Sequence, residues 1–125
     1  MKQKEKVLII DDDQEVLLVM QTILSLRNFE VFVKSDTQAI GQYIRDVEPS
    51  VILMDMLLAG EDGRTICRKI KGDKSINSIP VVMLSGYPQA KESCVEAGAN
   101  YFLAKPFDMN DLLTTVALAI KEHSA

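Results

Sequence analysis

Acidic, hydroxyl and amino side chains follow four short apolar runs of the sequence. Asp11–Asp13 come after the first run, Asp55 and Ser85 end two later runs, and Lys105 follows the last one. Functional groups of an open parallel sheet collect beyond the carboxyl ends of its strands, so we expect these side chains at one edge. Two like charges about 4 Å apart repel by about 4 kcal/mol at an effective dielectric of about 20. Converging carboxylates therefore need a compensating positive charge.

The residue types at this edge suit magnesium and phosphoryl transfer. Hard carboxylate oxygens with no neighbouring His or Cys favour Mg2+, which one or two carboxylates usually hold together with a substrate phosphate. Lys105 supplies a second positive charge. Catalysis of phosphoryl transfer is mostly positioning and charge neutralisation, so a carboxylate flanked by a divalent ion and an ammonium is well placed for it. Asp55 is the predicted nucleophile.

Five short apolar runs predict the strands that would position these residues. They cover residues 7–10, 31–33, 51–54, 81–84 and 101–104. Segments of helical period cover roughly residues 14–27, 37–47, 63–71 and 89–97, and Asp108 can cap a last helix. Strands that are apolar without alternation are covered on both faces. The sequence therefore predicts an α/β fold with a five-stranded parallel sheet, helices on each side and right-handed crossovers.

The first predicted helix should bury one face. Asp13 can cap its start, and Asn28 suits a left-handed residue just past its end. Leu17 and Leu18 widen the apolar face, and core packing is the favoured interpretation for both over a partner surface. The residues predicted to line the core share spacings of three and four: Val16, Val19, Met20, Ile23 and Leu24.

Composition and charge indicate an ordinary globular chain. Hydrophobic residues make up 47% and charged residues 26% of the 125 residues, enough to bury one core. A net charge of −4 disfavours direct contact with nucleic acid. The apolar runs are too short to span a membrane and no signal peptide is evident, so we expect a cytoplasmic protein with reduced, helix-packing Cys67 and Cys94. Since no linker interrupts the chain, we expect residues 1–125 to form a single domain without an output domain.

Four segments resemble the receiver domains of response regulators in two-component signalling, the CheY-like superfamily. They are VLIIDDD at 7–13, VILMD at 51–55, VMLSG at 82–86 and GANYFLAKPF at 98–107, and the match runs over essentially the whole chain. The resemblance implies a flavodoxin-like, doubly wound (βα)5 domain with strand order 2-1-3-4-5. It also implies a phosphoacceptor signalling domain rather than an enzyme. A sensor histidine kinase or a histidine phosphotransfer protein would donate the phosphoryl group, and a downstream protein would read the result.

The resemblance assigns roles to the acidic residues. Asp11 and Asp12 would hold Mg2+, and Asp55 would join them as a ligand and accept the phosphoryl group. Leu57, two positions after the acceptor, would lend its backbone carbonyl to the ion. The resemblance thus implies Mg2+ as the cofactor.

The resemblance also implies a switch. Ser85 would bind the phosphoryl group, Lys105 would pair with it, and the Lys105–Pro106 bond would be cis. When Ser85 moves, Phe102 would turn inward, whereas Tyr101 is off register. The altered surface would lie around the fourth helix, the fifth strand and the fifth helix. The resemblance allows a monomer or a dimer that forms on phosphorylation.

Three features depart from the family pattern. Ala59 stands four residues after the acceptor, where the family usually has Pro, which could loosen the loop there. The segment 85–98 is about two residues shorter than usual, which affects the start and length of the fourth helix. Leu57 and Tyr87 occupy positions that tune hydrolysis in the family. Because neither offers a carboxylate or an amide to orient water, we predict a long-lived phosphoryl group.

Other functions fit the sequence less well. A receiver-fold interaction module that works without phosphorylation has no need of the full set of acidic, hydroxyl and amino residues. A haloacid-dehalogenase-like phosphatase needs Asp-x-Asp-x-Thr or Val, and Asp11, Asp13 and Glu15 fail the last position. A nucleotide-binding flavodoxin-like site needs a glycine-rich run after the first strand, which is missing. His123, near a helix end, is predicted to be structural.

Overall fold

A single parallel sheet forms the centre of the molecule in the computed structural model, which describes residues 3–123. Its strands are β1 (Lys6–Ile10), β2 (Glu30–Lys34), β3 (Val51–Asp55), β6 (Val81–Ser85) and β7 (Tyr101–Ala104). Two short strands, β4 (Leu57–Leu58) and β5 (Glu61–Asp62), form a separate antiparallel hairpin after β3. The order of the main sheet is β2-β1-β3-β6-β7. This order confirms the predicted 2-1-3-4-5 arrangement once the two hairpin strands are left out of the count.

Five α-helices cover the two faces of the sheet in the described part of the chain. They are α1 (Gln14–Leu26), α2 (Ile40–Val47), α3 (Gly63–Lys71), α4 (Lys91–Glu96) and α5 (Met109–His123). A 3-10 turn, Pro88–Ala90, precedes α4. Within residues 3–123, none of these helices has the length and apolar character that crossing a membrane requires.

The core consists of two layers, one on each face of the sheet. Alternate strand residues point to opposite faces, so Leu8 and Ile10 pack on one side and Val7 and Ile9 on the other. The first layer includes buried side chains of α2, α3 and α4: Ile44, Ile66, Cys67, Ile70 and Cys94. The second includes buried side chains of α1 and α5: Leu17, Met20, Leu24, Leu112, Val116 and Ala119. Both cysteines are free and buried, as predicted.

The prediction for the first helix was right about its caps and partly wrong about its face. The Asp13 carboxylate accepts the N–H groups of Glu15 and Val16, and Asn28 has a φ of 71°. Leu17 is buried as predicted, but Leu18 is 64% exposed. Val19, predicted to line the core, is 57% exposed. At 3.6 residues per turn the buried positions 17, 20 and 24 fix the inward direction, and position 19 then points away from it.

Helix lengths also differ from the predictions. The second helix begins at Ile40 rather than residue 37, because Ala39 has a left-handed backbone. The fourth helix has only six residues, and a 3-10 turn that begins at Pro88 replaces its predicted start. Asp108 caps the last helix as expected, since its carboxylate accepts the N–H of Asp111.

Candidate functional site

Three carboxylates meet at the carboxyl ends of the two central strands. Asp11 follows β1 directly and Asp55 ends β3, and these strands are neighbours in the sheet. Asp11 is fully buried, Asp55 is largely buried and Asp12 is exposed. One carboxylate oxygen from each lies within 4.8 Å of the others. Asp13 does not join them, because its carboxylate caps α1 while its N–H donates to Asp11 Oδ1 at 2.9 Å.

Lys105 reaches this cluster from the edge strand β7. Its Nζ lies 3.2 Å from Asp55 Oδ1 and 3.4 Å from Asp11 Oδ2. Its backbone N–H donates to the carbonyl oxygen of Ser85 at 2.7 Å, which ties the lysine to the end of β6. The Lys105–Pro106 bond is cis, as the resemblance implied. One ammonium group therefore bridges the two buried carboxylates.

The surroundings of Asp55 oppose its charge. Burial raises the pKa of Asp55, and the neighbouring Asp11 carboxylate raises it further. Lys105 and the backbone N–H of Leu57, which hydrogen-bonds the Asp55 carboxylate, lower the pKa but do not offset burial. The cluster therefore retains an excess of negative charge that a cation would relieve.

The donor set fits Mg2+. Asp11, Asp12 and Asp55 offer hard oxygen ligands, and His and Cys are absent from the group. Leu57, the predicted carbonyl ligand, lies on β4 two residues after Asp55 and is 51% exposed. Its contribution to a metal site stays a prediction.

Ser85 lies beside the cluster at the end of β6. Leu84 pairs with Asp55 in the sheet, so Ser85 extends one residue beyond the end of β3. The Ser85 side chain is buried, and its Oγ accepts the N–H of Tyr87 at 3.0 Å. The hydroxyl is therefore near the carboxylates and already held by a backbone donor.

Phe102 and Tyr101 point to opposite faces of β7. Phe102 packs, partly buried, in the layer with α4, and it pairs with Met83 of β6. Tyr101 packs in the layer with α5, where its hydroxyl contacts Glu122 and its ring meets the edge of His123. The inward turn of Phe102 stays a prediction. His123 also hydrogen-bonds the carbonyl oxygen of Ala119, in keeping with a structural role.

Besides the Leu57 N–H at Asp55, two further features of the site were not found from the sequence. The first is Gly63, whose N–H donates to the carbonyl oxygen of Met56 at 2.6 Å. A Cβ at this position would lie 2.5 Å from the Asp55 carbonyl oxygen and 3.0 Å from Met56 Cα. Only glycine allows α3 to begin so close to Asp55. A glycine at the start of a helical segment was the available signal, because glycine is a poor helix former.

The second feature is an apolar groove of about 510 Å³ between α1 and the loop after β7. Lys105 lies at the groove, so the groove adjoins the carboxylate cluster. Its apolar walls come from both elements: Val16, Val19, Met20, Ile23, Pro106, Phe107 and Met109. The groove was missed because the sequence pattern predicted that Val19 lines the core.

Comparison with known proteins matches residues 7–117 to the family model described as response regulator receiver domain. The transcriptional regulatory protein GltR of Pseudomonas aeruginosa is 30% identical over 117 residues, covering 92% of this chain and 48% of that protein. RpaA of Synechocystis, a DNA-binding dual master transcriptional regulator, is 30% identical over 118 residues, covering 93% and 49%. The chain thus spans about half the length of these curated relatives. A response-regulator structure from Chloroflexus aurantiacus J-10-fl is 32% identical with a TM-score of 0.89, covering 94% of this chain and 98% of that one.

Proposed function

The chain belongs to the response regulator receiver domain family, and from that premise we propose that Asp55 accepts a phosphoryl group from a phosphohistidine donor. The observation that carries the proposal is the contact of Lys105 with both Asp55 and Asp11 beside Ser85. Receiver domains are signalling domains, so the product is the modified chain itself. The donor would be a sensor histidine kinase or a histidine phosphotransfer protein.

The transfer step moves one phosphoryl group between two side chains. A carboxylate oxygen of Asp55 forms a bond to phosphorus while the bond from phosphorus to the donor imidazole nitrogen breaks. The electron pair of that bond stays on the nitrogen. Lys105 neutralises charge on the transferred oxygens, and the Ser85 hydroxyl can donate to one of them after it leaves the N–H of Tyr87.

Asp11, Asp12 and Asp55, with the backbone carbonyl of Leu57, would hold Mg2+. The bound ion would add positive charge beside the transferred oxygens. Asp11 and Asp55 already share the ammonium of Lys105. Lys105 therefore holds the two carboxylates together in the unmodified chain.

The modified site would change a surface that partners read. When Ser85 follows the phosphoryl group, Phe102 can move within the layer that contains α4. The surface of α4, β7 and α5 would then favour a downstream protein or a second copy of the chain. DNA contact belongs to the whole regulators named above, and we assign none to this chain. We place this signalling in the cytoplasm.

The donor would dock on the groove beside Lys105. A histidine side chain must come into contact with Asp55, so the donor surface has to cover the surroundings of the site. The groove supplies apolar area there, and Val19 lies exposed in its wall. A donor with an apolar face next to its histidine fits this surface.

The test is phosphorylation by acetyl phosphate, with and without Mg2+, followed by intact mass measurement. We expect one added phosphoryl group in the wild type with Mg2+. We expect none in Asp55→Asn, which keeps the shape of the side chain but lacks the nucleophilic oxygen. A wild-type chain that gains no mass under any condition would instead favour an interaction module that works without phosphorylation.

A further inference from the structure

Helix α4 depends on a small number of contacts for its position. It has six residues, and neither Ala90 nor any other side chain caps its start. Cys94 is its only buried side chain, and Ser93 is partly buried. A helix this short is not stable on its own in water. Its placement is therefore set by the neighbours that hold Ser93 and Cys94.

Arg64 of α3 connects α4 to the residue that caps α3. Its Nη1 donates to Ser93 Oγ at 2.9 Å, and the Ser93 hydroxyl donates to the carbonyl oxygen of Ala90 at 2.9 Å. The other side of the guanidinium meets the Asp62 carboxylate, with Nε at 2.9 Å and Nη2 at 2.6 Å. Arg64 holds the pKa of Asp62 below its ordinary range. One planar group thus joins two elements.

Asp62 belongs to the hairpin that begins next to the acceptor. It pairs with Leu57 across β4 and β5, and the Leu57 N–H hydrogen-bonds the Asp55 carboxylate. Helix α4 also touches this segment directly, since Cys94 Sγ lies 3.7 Å from Met56 Sδ. A continuous set of contacts therefore runs from the Asp55 carboxylate through the hairpin to α4.

We propose that Arg64 is the main link through which the state of Asp55 sets the position of α4, beside the movement of Phe102 in the same layer. The link rests on the proposed function, because it needs Asp55 to be modified. Once a carboxylate oxygen of Asp55 is bonded to phosphorus, the negative charge lies on the phosphoryl oxygens, so the Leu57 N–H changes its acceptor and the hairpin re-forms its contacts around the new group. Asp62 moves with the hairpin, and Arg64 carries that movement to Ser93.

An arginine is required for this role. Its guanidinium presents donors on two sides in a fixed plane, so it can hold the Asp62 carboxylate and the Ser93 hydroxyl at the same time. A lysine keeps the positive charge and can pair with Asp62, but its ammonium is a single point that does not span both partners. Arg64→Lys therefore removes the bridge between Asp62 and Ser93 while it keeps the positive charge.

The experiment is hydrogen exchange of the full chain, before and after phosphorylation by acetyl phosphate with Mg2+. Intact mass on the same samples gives the phosphorylated fraction. Arg64→Lys is compared with the wild type and with Arg68→Lys, which changes an exposed arginine one turn later in α3. Ser93→Ala removes the other end of the bridge and serves as a second variant.

We expect exchange in residues 91–98 of unphosphorylated Arg64→Lys to be about threefold to tenfold faster than in the wild type, the effect of one lost hydrogen bond. In Arg64→Lys and Ser93→Ala, phosphorylation should change the exchange of residues 91–98 by less than about a third of the change seen in the wild type. The phosphorylated fraction should stay the same. Arg68→Lys should match the wild type.

Two results would overturn the link in distinguishable ways. The link is wrong, and the proposed function stands, if the wild type is phosphorylated but the hydrogen exchange of α4 does not change. The same conclusion follows if that change is undiminished in Arg64→Lys and Ser93→Ala. If the wild type gains no phosphoryl group, the proposed function fails and the link fails with it.

Discussion

Asp55 combines a buried position with the chemistry of a nucleophile. Its carboxylate lies against Lys105, accepts the N–H of Leu57 and faces the fully buried Asp11. These contacts align the side chain without fully compensating its charge. On the proposed function, this uncompensated charge would favour formation of the bond between Asp55 and phosphorus.

The raised pKa of Asp55 gives a stability test in the metal-free protein. The folded state binds this proton more tightly than the unfolded chain, so the stabilisation from protonated Asp55 is lost as the pH rises through the raised pKa. We expect Asp55→Asn, which stays neutral, to unfold at a higher urea concentration than the wild type at pH 7. The difference should shrink as the pH falls toward the ordinary aspartate value of about 3.9.

Asp12→Asn is the matched control for this measurement, because Asp12 belongs to the same cluster but is exposed to solvent that screens its charge. We expect Asp12→Asn to change the urea concentration of unfolding at pH 7 by less than Asp55→Asn does. A less stable Asp55→Asn at pH 7 would show that the Lys105 contact outweighs burial.

Leu57 and Tyr87 set our expectation for the lifetime of the phosphoryl group. Both side chains are about half exposed beside the site, and neither offers a carboxylate or an amide to orient a water molecule for attack. We expect the modified wild type to persist well beyond seconds at neutral pH with Mg2+, measured by intact mass after removal of acetyl phosphate. Leu57→Asn adds an amide there and should speed the loss by about tenfold. Loss from the wild type within seconds would contradict the expectation.

The sequence predicts much of the site at this scale because position along a strand determines which side chains share an edge. Asp11, Asp55, Ser85 and Lys105 all follow or end apolar runs, and the structure brings them together. The role of Gly63 could not be predicted in the same way, because it depends on how closely α3 approaches the Asp55 carbonyl. The N–H of Leu57 was also missed, since backbone donors leave no trace in residue type.

At the scale of elements, the start of α3 packs so closely on the end of β3 that it tolerates no larger residue. Gly63 has no room for a Cβ against the carbonyl oxygen of Asp55 or Met56 Cα. We expect Gly63→Ala to lower the free energy of unfolding by about 1–3 kcal/mol, the usual effect of overpacking, and to reduce phosphorylation by acetyl phosphate. Urea unfolding and intact mass measure the two effects.

Gly41→Ala provides the comparison, because Gly41 is inside α2 and a Cβ there meets nothing closer than 3.6 Å. Alanine should stabilise that helix by about 0.5–1 kcal/mol. Equal effects of the two substitutions would rule out a steric role for Gly63.

The sequence predicted the hairpin of β4 and β5 and the bounds of α4 least well. Strands β1, β3 and β6 each contain an unbroken run of four apolar residues and were found within one residue at each end. The hairpin of β4 and β5 has two residues per strand, too few for any periodic pattern. Helix α4 buries only Cys94, so its bounds follow from tertiary contacts and from Pro88 rather than from spacing.

At the scale of the whole molecule, the proposed function places the approaching donor at the groove between α1 and the loop after β7. We expect Val19→Asp to reduce phosphotransfer from a cognate phosphohistidine protein by about tenfold or more, because it places a charge in an apolar contact. Phosphorylation by acetyl phosphate, which needs no docking, should be unchanged. Radiolabelled transfer assays against both donors measure the two rates.

Leu18→Asp is the paired variant, since Leu18 is also exposed on α1 but does not line the groove. It should leave both rates close to those of the wild type. If Val19→Asp slows acetyl phosphate as well, the substitution disturbs the site itself and the docking assignment is wrong.

The bond between Lys105 and Asp11 joins residues 94 positions apart. A chain that is still being synthesised and lacks β7 already contains its acidic residues but not the lysine that pairs with them. The same holds for a fragment that a protease has cut between β6 and β7. On the proposed function, a kinase would therefore find no competent acceptor on unfinished or damaged copies, and phosphorylation would act as a quality control that admits only completely folded molecules to the signalling pool.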